Sequence, residues 1–246
     1  MIRNLLSVAV LMGTSVLSLP AQEPAPSKVD IRMLSFTPAL QHKEAYAQDP
    51  AAGDSGLPVE APIKCYLNHE FSTVQLKSRK IAFTTKKDPA SMTRPGELIG
   101  EVTLPEKVKS ALLVFLPGKA GGKASSQIMV IDDSKRAFPA GSFSITNLSA
   151  FPVRLMLENK NYDFKPGKNI LIENPPVREG SMSGMRAFVF KDNKWSPLST
   201  GLWPHPGNSR SLKVLYQDPV TGNVQLRSFD DVAPRPPQET ASASIP

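Results

Sequence analysis

The residues that could bind a metal ion are few and lie far apart in the sequence. They are one cysteine, Cys65, and three histidines, His42, His69 and His205. Cys65 and His69 could share one face of a strand, but their α-carbons would then lie about 13 Å apart, which is too far for one ion. The sequence therefore predicts no metal and no other cofactor, and Cys65 is expected to be a small buried apolar residue.

Two short runs contain some residues of known catalytic motifs but lack the surrounding residues that those motifs require. The run 53–56, Gly-Asp-Ser-Gly, resembles the nucleophile loop of chymotrypsin-like serine proteases, but the short chain before it cannot build the barrel that those enzymes use. The run 117–124, Pro-Gly-Lys-Ala-Gly-Gly-Lys-Ala, has the lysines and glycines of a phosphate loop. Pro117 stands where the first glycine belongs and Ala124 replaces the magnesium-binding Ser or Thr, so we predict a flexible loop there.

Paired acidic residues are the remaining candidates for catalysis. Asp132-Asp133 and Asp230-Asp231 each follow a predicted strand, where aspartate usually serves a turn. Two carboxylates could also act as general acid and base in a hydrolase. Nothing in the sequence pairs one set with the other. We therefore predict a protein that is not an enzyme and keep a carboxylate-dependent hydrolase as an alternative.

Aromatic residues near predicted strand ends are candidates for binding. Trp195 and Trp203 are the two tryptophans, and Phe151 and Tyr162 lie nearby in the sequence. Aromatic planes can stack on sugar rings or anchor a protein partner. We therefore treat Trp195, Trp203 and the neighbouring His205 as candidate contacts with a partner or a glycan. Packing in the core is the alternative for each aromatic residue.

The segment 137–173 shows which elements position these residues. Val153, Leu155 and Leu157 alternate with other residues, and this apolar period of two is typical of a half-buried strand. The turn 165–168, Lys-Pro-Gly-Lys, has Pro and Gly at the two central positions that a type II turn favours. Similar runs recur along the chain without a convincing amphipathic helix. The sequence predicts an all-β fold, an immunoglobulin-like antiparallel β-sandwich.

Composition divides the chain into four regions. Residues 1–21 combine Arg3 with an apolar run and small residues, as secretory signal peptides do. Residues 22–28 are expected to be a linker. A β-sandwich domain is predicted over 29–232, either as one sandwich or as two stacked sandwiches divided near the flexible stretch 117–126. Residues 233–246 are rich in Pro, Ala, Ser and Thr and are expected to be a disordered tail.

Charge and hydropathy limit the expected partners. The chain has 29 Lys and Arg residues against 22 Asp and Glu, a net charge of +7, but they are scattered and form no basic tract of the kind that binds nucleic acid. No later run approaches the length of a membrane span, so we expect no stable membrane insertion after removal of the signal. The protein is expected to be exported to the periplasm or the extracellular surface, and to contact an envelope protein or a glycan there.

Three runs of the sequence together resemble small exported bacterial β-sandwich proteins. They are 138–149, Val-Arg-Leu-Met-Leu at 153–157 and Phe-Lys-Pro-Gly at 164–167. Among these is the alginate O-acetylation accessory protein of the periplasm. The likeness centres on the pattern Pro-x-Gly-Ser-x-x-x-x-Asn. It implies a non-catalytic scaffold or adaptor in the bacterial cell envelope and transfers no active-site residue. An alternative is a pilus- or surface-associated structural subunit whose exposed sheet edge pairs with a neighbour.

Overall fold

A computed structural model describes residues 26–53, 56–67, 70–119, 121–178 and 180–232. Within these ranges nearly all the regular secondary structure is β-strand, with short 3-10 helices at Pro38–Leu40 and Pro89–Met92. No helix in the described part is long and apolar enough to cross a membrane. The predicted signal peptide and tail lie outside the described residues, as does most of the predicted linker.

The first eight strands form two sheets. Their bounds are β1 (Ser27–Ser35), β2 (Tyr46–Gln48), β3 (Val59–Glu60), β4 (Ser72–Leu76), β5 (Lys80–Thr84), β6 (Leu98–Thr103), β7 (Ser110–Pro117) and β8 (Ser126–Asp132). Sheet I has the strand order β3-β2-β5-β6, and sheet II has the order β4-β1-β7-β8. Strands β1 and β7 run parallel, whereas the other neighbours in these two sheets run antiparallel.

The last eight strands repeat this arrangement. Their bounds are β9 (Ser142–Asn147), β10 (Val153–Leu157), β11 (Lys160–Phe164), β12 (Asn169–Glu173), β13 (Met182–Lys191), β14 (Lys194–Pro204), β15 (Ser209–Gln217) and β16 (Val224–Val232). Sheet III has the order β12-β9-β15-β16, with β9 and β15 parallel, and sheet IV has the order β11-β10-β13-β14. Each strand of the second half therefore occupies the place of the strand eight positions earlier in the first half.

The four sheets stack face to face and enclose three apolar layers. One layer, which includes Phe83 and Phe115, lies between sheets I and II. A second, which includes Phe143 and Phe164, lies between sheets III and IV. The third layer lies between sheets II and III and joins the halves; its buried members are Leu34, Phe36, Leu112, Val114, Phe138, Leu212, Val214 and Phe229. The all-β sandwich prediction is confirmed, in the form of two stacked sandwiches.

The chain passes from the first sandwich to the second between β8 and β9. The segment 133–141 makes this passage, and it contains Phe138, which is buried between the sandwiches. The loop 118–125, near which the sequence placed a division, instead connects β7 and β8, which pair antiparallel. Small and flexible residues suit a hairpin loop as well as a linker, so composition alone does not distinguish the two.

The first sandwich is closed where the edge strands β6 and β8 meet. Just before β8, Ser125 donates its backbone N–H to Leu98 O at 3.4 Å and its hydroxyl to Ile99 O at 3.2 Å. A β-carbon at Gly100 would lie 2.9 Å from Ile128 Cδ1. Glycine at this position is therefore what allows β6 to approach β8 so closely.

Gly100→Val is expected to lower the free energy of unfolding by about 1–3 kcal/mol, because the larger side chain overpacks the contact between β6 and β8. Urea denaturation of the variant and the wild type measures this. The matched control is Gly201→Val in β14, where a β-carbon would meet only Met185 Cε, at 3.9 Å. An equal loss of stability in both variants would show that close approach at Gly100 is not the cause.

Candidate functional site

Four charged residues meet between the two sandwiches. Each of them is no more than 4% exposed; they are Arg32 of β1, Asp133 after β8, Arg210 of β15 and Asp231 of β16. Arg32 binds both carboxylates, with Nε 2.8 Å from Asp133 Oδ2 and Nη2 2.7 Å from Asp231 Oδ2. Arg210 also binds both, through Nη2, at 2.5 Å from Asp133 Oδ1 and 2.9 Å from Asp231 Oδ2. We call these four residues the arginine–aspartate cluster.

The cluster carries no net charge, because two guanidinium groups face two carboxylates. Burial opposes the charge on Arg32, yet the hydrogen bonds and charges of Asp231 and Asp133 raise the pKa of Arg32 above its ordinary value. Arg210 also donates a hydrogen bond from Nη1 to Phe138 O at 2.7 Å, and its guanidinium lies 4.4 Å from the centroid of the Phe138 ring. Arg32 and Asp133 come from the first half of the chain and Arg210 and Asp231 from the second, so these buried ion pairs cross between the two sandwiches.

The acidic residues singled out in the sequence thus divide into two kinds. Asp132 accepts the backbone N–H of Ser134 at 3.0 Å, which is the predicted turn role. Asp133 and Asp231 belong to the arginine–aspartate cluster, where both carboxylates are bound by guanidinium groups. Asp230 is exposed. A carboxylate-dependent hydrolase stays a prediction. Loss of turnover in Asp132→Ala would test it better than loss of turnover in Asp231→Ala, because Asp231→Ala also breaks the arginine–aspartate cluster.

Among the described residues, Cys65, His42 and His205 belong to no cluster of His, Cys, Asp and Glu side chains that could hold a metal ion. His42 is partly buried, and this burial lowers the pKa of its imidazole. Cys65 is partly exposed rather than buried, so the expectation for it was wrong; it lies outside the regular strands, beyond the sandwich core. His205 is half-buried, and its Nδ1 accepts a backbone N–H two residues later at 3.0 Å. His69 lies outside the described residues.

The two tryptophans lie on β14 but face opposite sides of sheet IV. Strand alternation would place residues eight positions apart on the same face. The pairing of β13 with β14 skips Leu198, however, and this β-bulge reverses the alternation. Trp203 therefore points inward, where it is 8% exposed and packs edge to face on Phe143 with ring centroids 5.4 Å apart. Trp195 is 38% exposed on the outer face.

Trp195 belongs to a group of side chains on the outer face of sheet IV. The guanidinium carbon of Arg154 lies 4.6 Å from the centroid of the Trp195 ring, and the Phe190 ring centroid lies 5.2 Å away. Asp163 binds Arg154 through two hydrogen bonds, from Nε at 2.6 Å and from Nη2 at 2.9 Å. The same hydrogen bonds lower the pKa of Asp163. We call Trp195, Phe190, Arg154 and Asp163 the outer-face patch.

The second sandwich contains a cavity of about 520 Å³ between sheets III and IV, bordered by the edge strands β14 and β16. We call it the edge cavity. It is lined by Ile145, Val153, Leu155, Met185, Ala187 and Leu215, by the consecutive residues 198–203 of β14, and by the consecutive residues 224–226 of β16. Both edge strands are fully described, and no backbone hydrogen bond joins them. The corresponding edges of the first sandwich, β6 and β8, are in contact.

A buried lysine lies in the same sandwich. Lys213 is 7% exposed, and its Nζ lies 4.4 Å from the Trp203 ring centroid and 4.9 Å from that of Phe143. Nζ donates a hydrogen bond to Ser228 Oγ at 3.0 Å. Burial lowers the pKa of Lys213 to about 8, while the charge of Asp230 opposes this shift. Sequence reasoning missed Lys213, because a single lysine in an apolar strand is usually interpreted as solvent-facing.

Comparison with known proteins does not assign the chain to a family. No family model and no curated protein matches the chain. One solved structure that does match is a Bacteroides uniformis protein proposed to act in cell adhesion, with 9% identity over 84% of this chain and 98% of that chain, at a TM-score of 0.21. A superposition this poor carries no argument about function. The resemblance to the alginate O-acetylation accessory protein and its relatives stays a prediction.

Two features of the second sandwich remain as candidates for binding. The outer-face patch presents an exposed indole whose neighbours are held in place by an ion pair. The edge cavity offers an apolar space next to two strand edges. They lie on different sides of β14, because the bulge at Leu198 turns Trp195 outward and Trp203 inward. A variant at one of these features can therefore be tested separately from a variant at the other.

Proposed function

We propose that the protein is an exported, non-enzymatic binding protein of the bacterial cell envelope. It acts as a scaffold or adaptor, and it contacts a glycan or another protein through the outer-face patch. The observation that supports this most is the exposure of Trp195 on an outermost sheet, beside Phe190 and Arg154. Tryptophan and arginine are enriched among residues that dominate binding energies, and an indole can stack on a sugar ring.

The rigidity of the patch also supports a binding role. Side chains that must be ordered on binding cost about 0.5–1.5 kcal/mol each. In the outer-face patch, Arg154 donates two hydrogen bonds to Asp163, which hold its guanidinium group in place against the Trp195 ring. Much of the side-chain ordering that binding would require is therefore already present in the free protein. The patch lies on β10, β11, β13 and β14 rather than on a loop, so the sheet itself fixes the spacing of the side chains.

Export is part of the proposal and is supported by the predicted signal peptide at 1–21. The periplasm and the extracellular surface are both consistent with the proposed role. Fractionation of cells that express the full-length chain tests this part directly. Recovery of the protein in the cytoplasm with residues 1–21 still attached would contradict it.

The second candidate is a structural subunit of a pilus or another surface assembly. The observation that favours it is the edge cavity, where β14 and β16 each have one side that pairs with no other described strand. Such edges are the sites at which a neighbouring chain can add a strand. In this candidate the outer-face patch would remain a lateral contact on the outside of the assembly.

Trp195→Ala is expected to weaken binding to isolated envelope fractions at least tenfold, which is about 1.4 kcal/mol, because it removes the exposed ring of the patch. Binding of labelled full-length protein is measured before and after the fractions are treated with periodate or with protease. Loss after periodate identifies a glycan, and loss after protease identifies a protein partner.

The control for this experiment is Tyr66→Ala in the first sandwich. Tyr66 is 57% exposed and has Lys64 Nζ 5.8 Å from its ring centroid, so it offers a similar exposed ring beside a cation. Its removal should leave binding unchanged. Equal binding by wild type and Trp195→Ala, or equal losses in both variants, would count against the outer-face patch as the binding site.

A further inference from the structure

We infer that the edge cavity is a docking site for an extended segment of another protein, which adds as a β-strand along the gap between β14 and β16. The inference rests on the second candidate function and names the chemistry of its partner. That partner is a polypeptide with apolar side chains at alternate positions and with unprotected backbone N–H groups.

The first argument concerns the backbone. Successive side chains of a strand point to opposite faces, so a cavity inside a sandwich normally touches every second residue. The edge cavity touches the consecutive residues 198–203 and 224–226 instead, so it reaches the edges of both strands. Among the strands that the structure describes, β14 and β16 are the last of their sheets, and each has a hydrogen-bonded neighbour on one side only. A polypeptide can satisfy the free N–H and C=O groups of such an edge, whereas a hydrocarbon chain cannot.

The second argument comes from the other half of the same chain. The first sandwich has the same strand order, yet its edges β6 and β8 meet, with the hydrogen bond from Ser125 to Leu98 and the close packing at Gly100. The opening is therefore not a consequence of the topology. It belongs to the residues of the second half, where Gly201 leaves space on β14 and Leu202 is 67% exposed.

The lining determines the kind of segment that fits. Ile145, Leu155, Met185 and Leu215 form an apolar interior, while Ser199, Thr200 and Gln225 are the polar lining residues, all on the two edge strands. A strand placed there would direct every second side chain into the apolar interior and the others towards solvent. The chain's own residues 233–246 are a poor source of such a strand, because Pro234, Pro236 and Pro237 supply no N–H and the remaining run offers only the small Ala241 and Ala243 and a single Ile245 at alternate positions. The occupant therefore comes from another chain.

The test is a binding measurement with a defined panel of peptides and the full chain. The probes are fluorescein-labelled decapeptides with Val, Ile, Leu or Phe at odd positions and Thr, Ser or Lys at even positions, and binding is followed by fluorescence polarisation. We expect members of the panel to bind saturably. The same peptides with N-methylated backbones should bind at least tenfold more weakly, because they keep their side chains and lose their donors. Hydrogen exchange should slow at 198–203 and 224–226 when a peptide is bound.

Gly201→Leu is the variant that fills the cavity, and it should weaken peptide binding at least tenfold. Val220→Leu is its control, because it adds an apolar group at a turn position that is 91% exposed, and it should bind as the wild type does. Unchanged near-ultraviolet circular dichroism shows that Gly201→Leu is folded. If that variant is misfolded, the comparison of N-methylated with unmodified peptides on wild-type protein decides the question.

Several outcomes would overturn the inference. One is the absence of binding by any panel member at concentrations up to about 1 mM. Others are equal binding of N-methylated and unmodified peptides, or displacement of the peptide by palmitate, which would indicate an acyl-chain site. Self-association of the wild type that Gly201→Leu abolishes would replace the foreign partner with a second copy of this chain. Because Trp195 faces away from the cavity, failure here leaves the outer-face patch to be judged by its own experiment.

Discussion

Replacing Asp231 with alanine is expected to lower the free energy of unfolding by about 3–5 kcal/mol, because Arg32 and Arg210 then remain buried without one of their two counter-charges. Arg32 and Arg210 are 1% and 0% exposed, so bulk solvent does not hydrate their guanidinium groups in the folded protein. Urea denaturation at neutral pH measures the change. The control is Glu173→Ala, which removes an exposed carboxylate at the end of β12 in sheet III and should alter stability by less than about 0.5 kcal/mol.

A second variant separates the cost of breaking the arginine–aspartate cluster from the stability that the cluster provides. Replacing all four members with apolar residues (Arg32→Met, Asp133→Leu, Arg210→Met and Asp231→Leu) removes the four charges of the cluster at once. Because transferring four charges from water is costly, this variant is expected to be within about 2 kcal/mol of the wild type, or more stable. A loss as large as that of Asp231→Ala would instead mean that the intact cluster is a strong net source of stability.

Lys213→Met is expected to raise the free energy of unfolding by about 3 kcal/mol at pH 7, because the wild type must bury a charged ammonium group. Burial lowers the pKa of Lys213 to about 8 from an ordinary 10.5. Ile145, its register partner on β9, and Leu215, two residues along β15, are buried apolar residues of the same core layer, so a methionine suits this environment. Urea denaturation of both proteins at a series of pH values measures the difference.

The same variant has a characteristic pH dependence. Below about pH 8, Lys213 is protonated in both the folded and the unfolded chain, so the wild type bears the full cost of burial. Between pH 8 and 10.5 the unfolded chain binds more protons than the folded chain, and wild-type stability therefore rises with pH relative to the variant. The gap should close near pH 10.5. A difference that stays constant from pH 7 to 10.5 would show that Lys213 keeps an ordinary pKa in the folded state.

The local features of the sequence predicted the strands and turns well. The alternation of Val153, Leu155 and Leu157 corresponds to β10, in which all three side chains point into the core. The turn at 165–168 forms as expected, with Gly167 at φ +74° and the N–H of Lys168 bonded to Lys165 O at 3.0 Å. Such features depend on the backbone preferences and the alternation of a few consecutive residues, so they can be recognised without knowing any distant contact.

Contacts between distant strands could not be inferred in the same way. Arg32, Asp133, Arg210 and Asp231 are separated by long stretches of chain, and nothing in their local sequences indicates that they meet. Only the packing of sheet II on sheet III brings them together. The bulge at Leu198 could not be inferred from local sequence either. It depends on the register of β13 against β14, which sets the side of the sheet to which Trp195 and Trp203 point.

The sequence by itself determined the class of fold, because an apolar period of two with turn residues between the runs is encoded within each short segment. The tertiary structure alone decided that the strands form two copies of one eight-strand arrangement, that the second copy is open where the first is closed, and that a lysine and four paired charges are buried. These properties depend on which faces of distant strands pack together. Which faces pack together depends on the apolar surface that all the sheets bury at once, so no single segment of the sequence determines it.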